Sequence, residues 1–159
     1  MQVYCIKVAL MFNKRIYRNI EILGNQTLAD LHDSIFEAFD RYDEHLYSFF
    51  LTGKATKNIR VIRDSPEITH PMNLEDHIGF GFKKRYNAEK TEIGKLDLDE
   101  KEKLYYLFDF GDEWWHELTV LNVLNVDDST GFPRIVKVSR ESPEQYLDYE
   151  ENDDEDDDL

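Results

Sequence analysis

Residues 2–12, QVYCIKVALMF, alternate with a period of two, and no other feature of the chain constrains its fold so tightly. Successive side chains of a strand point to opposite faces. Tyr4, Ile6, Val8, Leu10 and Phe12 therefore form one wholly apolar face, while Lys7 interrupts the other. Asn13-Lys14 offers a tight turn, because Asn tolerates positive φ. The chain returns through RIYRNIEI (15–22), with Ile16, Ile20 and Ile22 on one side. A period-two pattern cannot be wound into a helix without scattering its apolar face. The chain thus opens with a β-hairpin that needs a covering layer.

The period then changes. Over 27–42 the residues Leu28, Leu31, Ile35, Phe36, Ala38, Phe39 and Tyr42 fall in one stripe at 100° per residue, opposite Asp30, Asp33, Glu37, Asp40 and Arg41. Thr27 caps this helix, with Asp30 completing a short capping box. His32 lies inside the apolar stripe. EHLYSFFL (44–51) and NIRVIR (58–63) read as strands around a turn at Gly53, and NLEDHIG (73–79) reads as a helical turn capped by Asn73. The segment 79–103 is glycine-punctuated and charged, and reads as a long connection or an exposed hairpin. Strands over 104–110, 114–124 and 133–139 complete the order. The expected fold class is α+β: a mostly antiparallel sheet with a ββαβ-type opening and one main amphipathic helix, about 27–42, packed on a face. With 159 residues, 41% of them hydrophobic and 13% aromatic, the chain has material for one domain with a real core.

A net charge of −15 is unevenly spread. Asp148 to Asp158 supplies nine acids and no base, which leaves −6 for residues 1–147. The expected division is a domain over 1–147 and an acidic, disordered tail over 148–159, most simply a solubilising terminus. The single Cys5 excludes an internal disulfide and a cysteine-rich zinc site. The longest apolar run near the start, Val8–Phe12, is far short of the ~20 residues of a membrane helix. The expectation is a soluble, cytoplasmic protein with no membrane contact.

The segment YLFDFGDEWWHELTV (106–120) concentrates the chemistry. If Gly111-Asp112 is a two-residue hairpin loop, Asp109 faces Trp114 and Leu107 faces His116. Asp109 and His116 then become diagonal neighbours on one surface, roughly 7–8 Å apart at the backbone. Such a pair can act as a general base with its orienting carboxylate, or as half of a metal site. It can equally be a buried histidine whose N–H the aspartate satisfies. Asp112 is a turn residue by type. Trp114 and Trp115, being adjacent, must point to opposite faces.

Three stretches in order, LFDFGDEWWHEL, RIYRNIEILGNQTLADLHDSIFEAF (15–39) and YDEHLYSFFL (42–51), resemble the plasmid pRiA4b ORF-3-like family. The resemblance covers roughly residues 3–51 and 104–126. It carries the family's polar signature onto His32, His45, Asp109, Asp112, Trp114, His116 and Glu117, and implies an α+β domain, a link to plasmids and mobile elements, and no agreed reaction. Tyr17 stands where many members have tryptophan. The cysteine- and proline-rich C-terminal block of many members is missing, so any site needing those cysteines is absent.

Three functions compete. A non-catalytic binding or interaction module for a protein or small ligand suits the acidic body and the aromatic surface, and is the first reading. A metal-dependent or general-base enzyme is second. Asp109 and His116 are its catalytic candidates; His32, His45 and His116 are the imidazoles able to hold a divalent metal, although no cofactor is expected. Nucleic-acid binding is third. Lys54, Lys57, Arg60 and Arg63 recur three apart, and Lys83-Lys84-Arg85 lies near Phe80, Phe82 and Tyr86, yet a pI near 4.6 opposes phosphate attraction. The DFG at 109–111 lacks every other kinase motif, and Gly79-Phe80-Gly81 lacks the third glycine of a dinucleotide loop.

Overall fold

The computed structural model of the protein describes residues 1–75 and 84–146. The acidic tail 148–159, Lys83, Phe82, the Gly79-Phe80-Gly81 tripeptide and the end of the 73–79 turn lie outside the described residues.

The opening alternation forms β1 (Gln2–Leu10) and β2 (Asn13–Leu23), paired antiparallel with Ile6 opposite Ile20 and Tyr4 opposite Ile22. Tyr4, Ile6, Val8 and Leu10 are buried, but so are Val3, Cys5 and Ala9 on the other face. The turn is Met11-Phe12 rather than Asn13-Lys14, because a register shift after Ala9 sets Leu10 opposite Asn13. Phe12 is thereby thrown outward and is 68% exposed.

Six further strands join these two: β3 (Tyr47–Phe50), β4 (Glu67–Thr69), β5 (Arg85–Asn87), β6 (Lys103–Phe108), β7 (Trp114–Asn125) and β8 (Arg134–Ser139). They form one eight-stranded sheet in the order β5-β4-β3-β6-β7-β1-β2-β8. Among the described residues only the β4–β5 pair is parallel. Two extra residues bulge the ladder. Leu121 is skipped where β7 meets β1, and Val136 where β8 meets β2, and both side chains are exposed.

The expected α+β class is corrected. Among the described residues α1 (Leu28–Ala38) has 11 residues, while α2 (Ile59–Arg63) and α3 (Pro71–Glu75) have five each and a 3₁₀ turn, Ile93–Leu96, has four. The fold is β-rich, built on a mixed sheet. β4 and β5, three residues each, are too short to show a period, which hid the far edge of the sheet. NIRVIR, read as a strand, is α2. The Asn58 side chain accepts from the Arg60 and Val61 N–H groups, and that cap turns a β-branched run into one helical turn. Over its described part, 84–103, the segment read as a connection or exposed hairpin is no exposed hairpin: β5 lies in it, and Ala88, Ile93 and Leu98 are buried.

Apolar side chains gather on both faces of the sheet. One face carries the main core, where Ile6, Val8, Ile20, Phe49, Tyr106, Phe108 and Leu118 meet Leu28, Leu31, Ile35 and Phe39. The other carries a smaller cluster of Phe50, Tyr105 and Leu107 under Ile62 of α2. α1 starts as expected, with Thr27 Oγ1 accepting from Asp30 N–H and Asp30 Oδ2 accepting from Thr27 N–H. It stops at Ala38, earlier than its apolar stripe predicts, because Asp40 adopts a positive φ of 54°. Tyr42 consequently leaves the stripe and is 70% exposed.

A wholly buried arginine locks that end. Arg18 Nε donates to the Ala38 carbonyl at 2.7 Å, and Nη1 donates to the carbonyls of Tyr17, Ser139 and Arg140 at 2.9–3.0 Å. The last carbonyls of a helix have no partner of their own and carry partial negative charge. One guanidinium thus joins the end of α1 to β2 and β8. Among the described residues no helix is long and apolar enough to cross a membrane.

Candidate functional site

The β6–β7 connection positions the signature. The register Phe108↔Trp114, Leu107↔Trp115, Tyr106↔His116 and Tyr105↔Glu117 leaves Asp109 to Glu113 as the loop. The expected two-residue loop at Gly111-Asp112 is therefore wrong, and with it the face assignment. Asp109 and Glu113 bend the loop by adopting positive φ values of 64° and 54°, which glycine usually supplies. Asp109 Oδ1 stabilises the bend by accepting from the Gly111 and Asp112 N–H groups at 3.0 and 3.2 Å.

The expected Asp109–His116 pair does not form. Asp109 Oδ2 lies 3.5 Å from His45 Nε2 instead. His45 Nε2 is also 2.6 Å from the Tyr146 oxygen, and the Tyr146 hydroxyl donates to Asp43 Oδ2 at 2.6 Å. That hydroxyl's proton is committed to Asp43, so the imidazole is the donor to Tyr146. Acceptance by Asp43 pushes the Tyr146 phenol up to about 12.

His116 is fully buried on the α1 side of the sheet, between the rings of Tyr106 and Phe39 at 4.9 and 5.3 Å. Its Nδ1 lies 3.3 Å from the Tyr106 carbonyl, and its Nε2 accepts from Arg41 Nη2 at 2.8 Å. Burial first, and then the Arg41 charge, holds its pKa well below the ordinary histidine range. This imidazole is neutral, and its acceptor nitrogen is already engaged.

His32 is 2% exposed, as its place in the apolar stripe suggests. Its ring stacks on Tyr47 at 3.7 Å and 5°. Nδ1 lies 2.6 Å from the Tyr106 hydroxyl, and Nε2 lies 3.1–3.2 Å from the Glu44 carboxylate. The three histidines thus serve three different centres: His32 with Glu44, His45 with Asp109 and Tyr146, His116 with Arg41. The expected metal set of His32, His45 and His116 does not come together. Among the described residues, His32, Asp33 and Glu44 are the group whose ligand atoms lie within 4.8 Å of one another.

Glu117 faces the opposite side of the sheet from His116. It accepts from Lys14 at 3.0 Å, Lys103 at 3.4 Å and the Tyr105 hydroxyl at 3.2 Å. Trp114 and Trp115 do diverge. Trp114 meets Phe12 at 6.1 Å and the Arg41 guanidinium at 5.5 Å, and Trp115 meets Phe50 at 5.7 Å and Arg63 at 5.4 Å. Met11, Phe12, Ile59, Asp112, Glu113 and both tryptophans line an open groove of about 450 Å³. The basic residues read as a phosphate-binding set are partly engaged. Arg63 bonds Glu113, and Arg85 Nε lies 3.4 Å from Glu67.

Sequence reasoning missed Arg41, Glu44, Tyr106 and Tyr146. The apolar stripe sets Arg41 on the polar side of a longer helix; the helix ending at Ala38 is what turns it inward. Tyr146 had no local signal, since it reaches His45 from 101 positions away.

The plasmid pRiA4b ORF-3-like protein family matches the chain over residues 2–149. No curated protein matches it. Among solved structures, a protein of unknown function from Methanosarcina mazei Go1 is similar with a TM-score of 0.68 at 21% identity, covering 91% of this chain and 73% of that one. At that identity the likeness speaks for the fold alone.

Proposed function

This chain belongs to the plasmid pRiA4b ORF-3-like protein family, a membership that supplies a scaffold without a reaction, and we propose that the scaffold serves as a binding module rather than an enzyme. One observation carries the reading: Asp109, His45, His116 and Glu117 of the signature are each engaged by other protein groups. Asp109 holds its own loop and His45, His116 accepts from Arg41, and Glu117 is occupied by Lys14, Lys103 and Tyr105. Among the described residues no serine, threonine or cysteine side chain bonds Asp109, His45, His116 or Glu117 as a nucleophile would bond its base.

What stays open is the groove between the β1–β2 turn, α2 and the β6–β7 loop. Its floor is aromatic, and the Asp112 carboxylate at its edge makes no bond to the described residues. Aromatic walls with a few polar groups are typical of ligand sites. The occupant that fits is a partner-protein segment joining an apolar side chain to a basic one, because the rim carries Asp112 and the chain carries −15 overall. A cytoplasmic setting belongs to this proposal, supported by the single buried thiol of Cys5.

The chain's two tryptophans both line this groove, so intrinsic fluorescence reports its occupancy directly. Short amidated peptides alternating Lys with Leu or Phe should produce a saturable blue shift, and Glu-for-Lys counterparts should not. Equal responses to both sets, or no response to either, would end the binding proposal for this groove.

A further inference from the structure

A second polar centre lies where the buried ring of His32 meets the exposed Asp33 and Glu44. We propose that His32, Asp33 and Glu44 bind one divalent transition-metal ion. Two neighbouring residues of α1 and one residue of the loop before β3 supply the donors, and their ligand atoms all lie within 4.8 Å of one another.

The histidine is built as a ligand is built. Its ring is fixed by the Tyr47 stack at 3.7 Å, and Phe36 and Phe108 lie 6.2 and 5.9 Å away. Its Nδ1 is 2.6 Å from the Tyr106 hydroxyl. In the metal-free chain Nε2–H donates to the Glu44 carboxylate; a metal ion would displace that proton, leaving the ring proton on Nδ1 to donate to the Tyr106 oxygen and the Nε2 lone pair turned to the ion. A ligating histidine ordinarily has its other nitrogen held in this way, which fixes tautomer and ring orientation. His32 is 2% exposed while Asp33 and Glu44 are both exposed, so a rigid nitrogen meets two mobile carboxylates.

The spacing suits an ion. Donors bound at about 2.0–2.2 Å to a common metal stand roughly 3–3.5 Å apart. His32 Nε2 and Glu44 Oε2 are 3.1 Å apart, and rotation of the exposed Asp33 side chain brings in the third donor. The local charge points the same way. Asp33, Glu89, Glu44 and Asp30 all act on the Tyr47 phenol, which burial first and these acids next raise above its ordinary range. The Glu44 carboxyl is held below its ordinary range, first by the hydrogen bond from His32. One imidazole and two carboxylates, with water completing the shell, favour Zn²⁺, Co²⁺, Mn²⁺ or Fe²⁺ over Ca²⁺, which takes six to eight oxygens.

The test uses the full chain freed of metal by chelation, titrated with Co²⁺ by visible absorption and with Zn²⁺ by calorimetry. One ion per chain is expected. Asp33→Asn and Glu44→Gln, both at exposed positions, should each weaken binding by about tenfold or more while leaving the metal-free unfolding curve in place. No uptake by the unaltered chain would overturn the proposal. So would uptake that both substitutions leave unchanged, since that ion would sit on other acids, such as those of 148–159.

Discussion

Arg41 Nη2 lies 2.8 Å from His116 Nε2, a buried cation held by a neutral ring and, among the described residues, by no carboxylate. The guanidinium is 8% exposed and lies over the rings of Phe39, Phe108 and Trp114 at 5.1, 4.9 and 5.5 Å. Desolvation brings its own pKa down to about 10. Cation–ring attraction is strongest where water is excluded, so aromatic faces stand in for the missing anion. The pairing requires His116 to stay unprotonated.

That requirement sets a pH dependence. The folded pKa of His116 is depressed, by burial and then by Arg41, so the unfolded chain takes up a proton that the folded chain refuses. The stability gained is complete above about pH 6.5 and is lost as pH falls from there toward the folded pKa. Urea denaturation between pH 6.5 and 5 should give a slope up to about 1.4 kcal/mol per pH unit steeper for the natural chain than for His116→Gln, which keeps an acceptor for Arg41. Parallel profiles would mean that the ring is not held neutral.

Arg18→Met should be the costliest single change outside the apolar core. It strips the donor from the carbonyls of Ala38, Tyr17, Ser139 and Arg140 while filling much of the same space. A loss of about 3 kcal/mol or more is expected, since buried carbonyls left without partners are each penalised. Chemical denaturation measures it. A loss below about 1 kcal/mol would mean that water replaces the guanidinium freely.

Thr27→Ala removes one half of the reciprocal cap of α1 and should cost about 1 kcal/mol, with Thr27→Ser recovering most of it. Thermal unfolding of the three chains side by side is sufficient, and a Ser variant no better than Ala would reject the cap as the cause.

Phe12→Ala probes the groove with little effect on the fold. Phe12 is 68% exposed, yet its ring lies 6.1 Å from that of Trp114. Stability should change by no more than about 0.5 kcal/mol, as at ordinary surface positions. Trp emission should shift to the red, and affinity for the Lys-containing peptides should fall several-fold. Unchanged affinity would move the recognition surface elsewhere.

The parts of the structure legible in the sequence are those governed by near neighbours. The alternation of Tyr4, Ile6, Val8 and Leu10 specifies a strand because the period is intrinsic to the backbone, and Thr27 with Asp30 marks a helix start because both bonds close within three residues. The parity of β6 and β7 was not legible. It depends on a loop from Asp109 to Glu113 whose left-handed residues are an aspartate and a glutamate, where sequence patterns point to Gly111. One wrong loop length moved His116 to the other face and gave its supposed carboxylate to His45. Arg41 was misplaced for a related reason: the helix ends where Asp40 turns left-handed, and no stripe of apolar residues records that. The mixed, β-rich character stayed hidden because β4 and β5 owe their existence to partners rather than to their own three residues.

The sheet order has a consequence for synthesis. β1 sits between β2, which follows it at once, and β7, whose Leu124 pairs with Val3 and whose Asn125 pairs with Gln2. A nascent chain emerging from the ribosome can therefore close its first hairpin early, yet must carry the other edge of β1 unpaired until about a hundred further residues have been added. Such long-range closure slows folding and leaves a sticky margin exposed meanwhile. Chains stalled or truncated before β7 should accordingly be the form in which this protein self-associates or recruits chaperones.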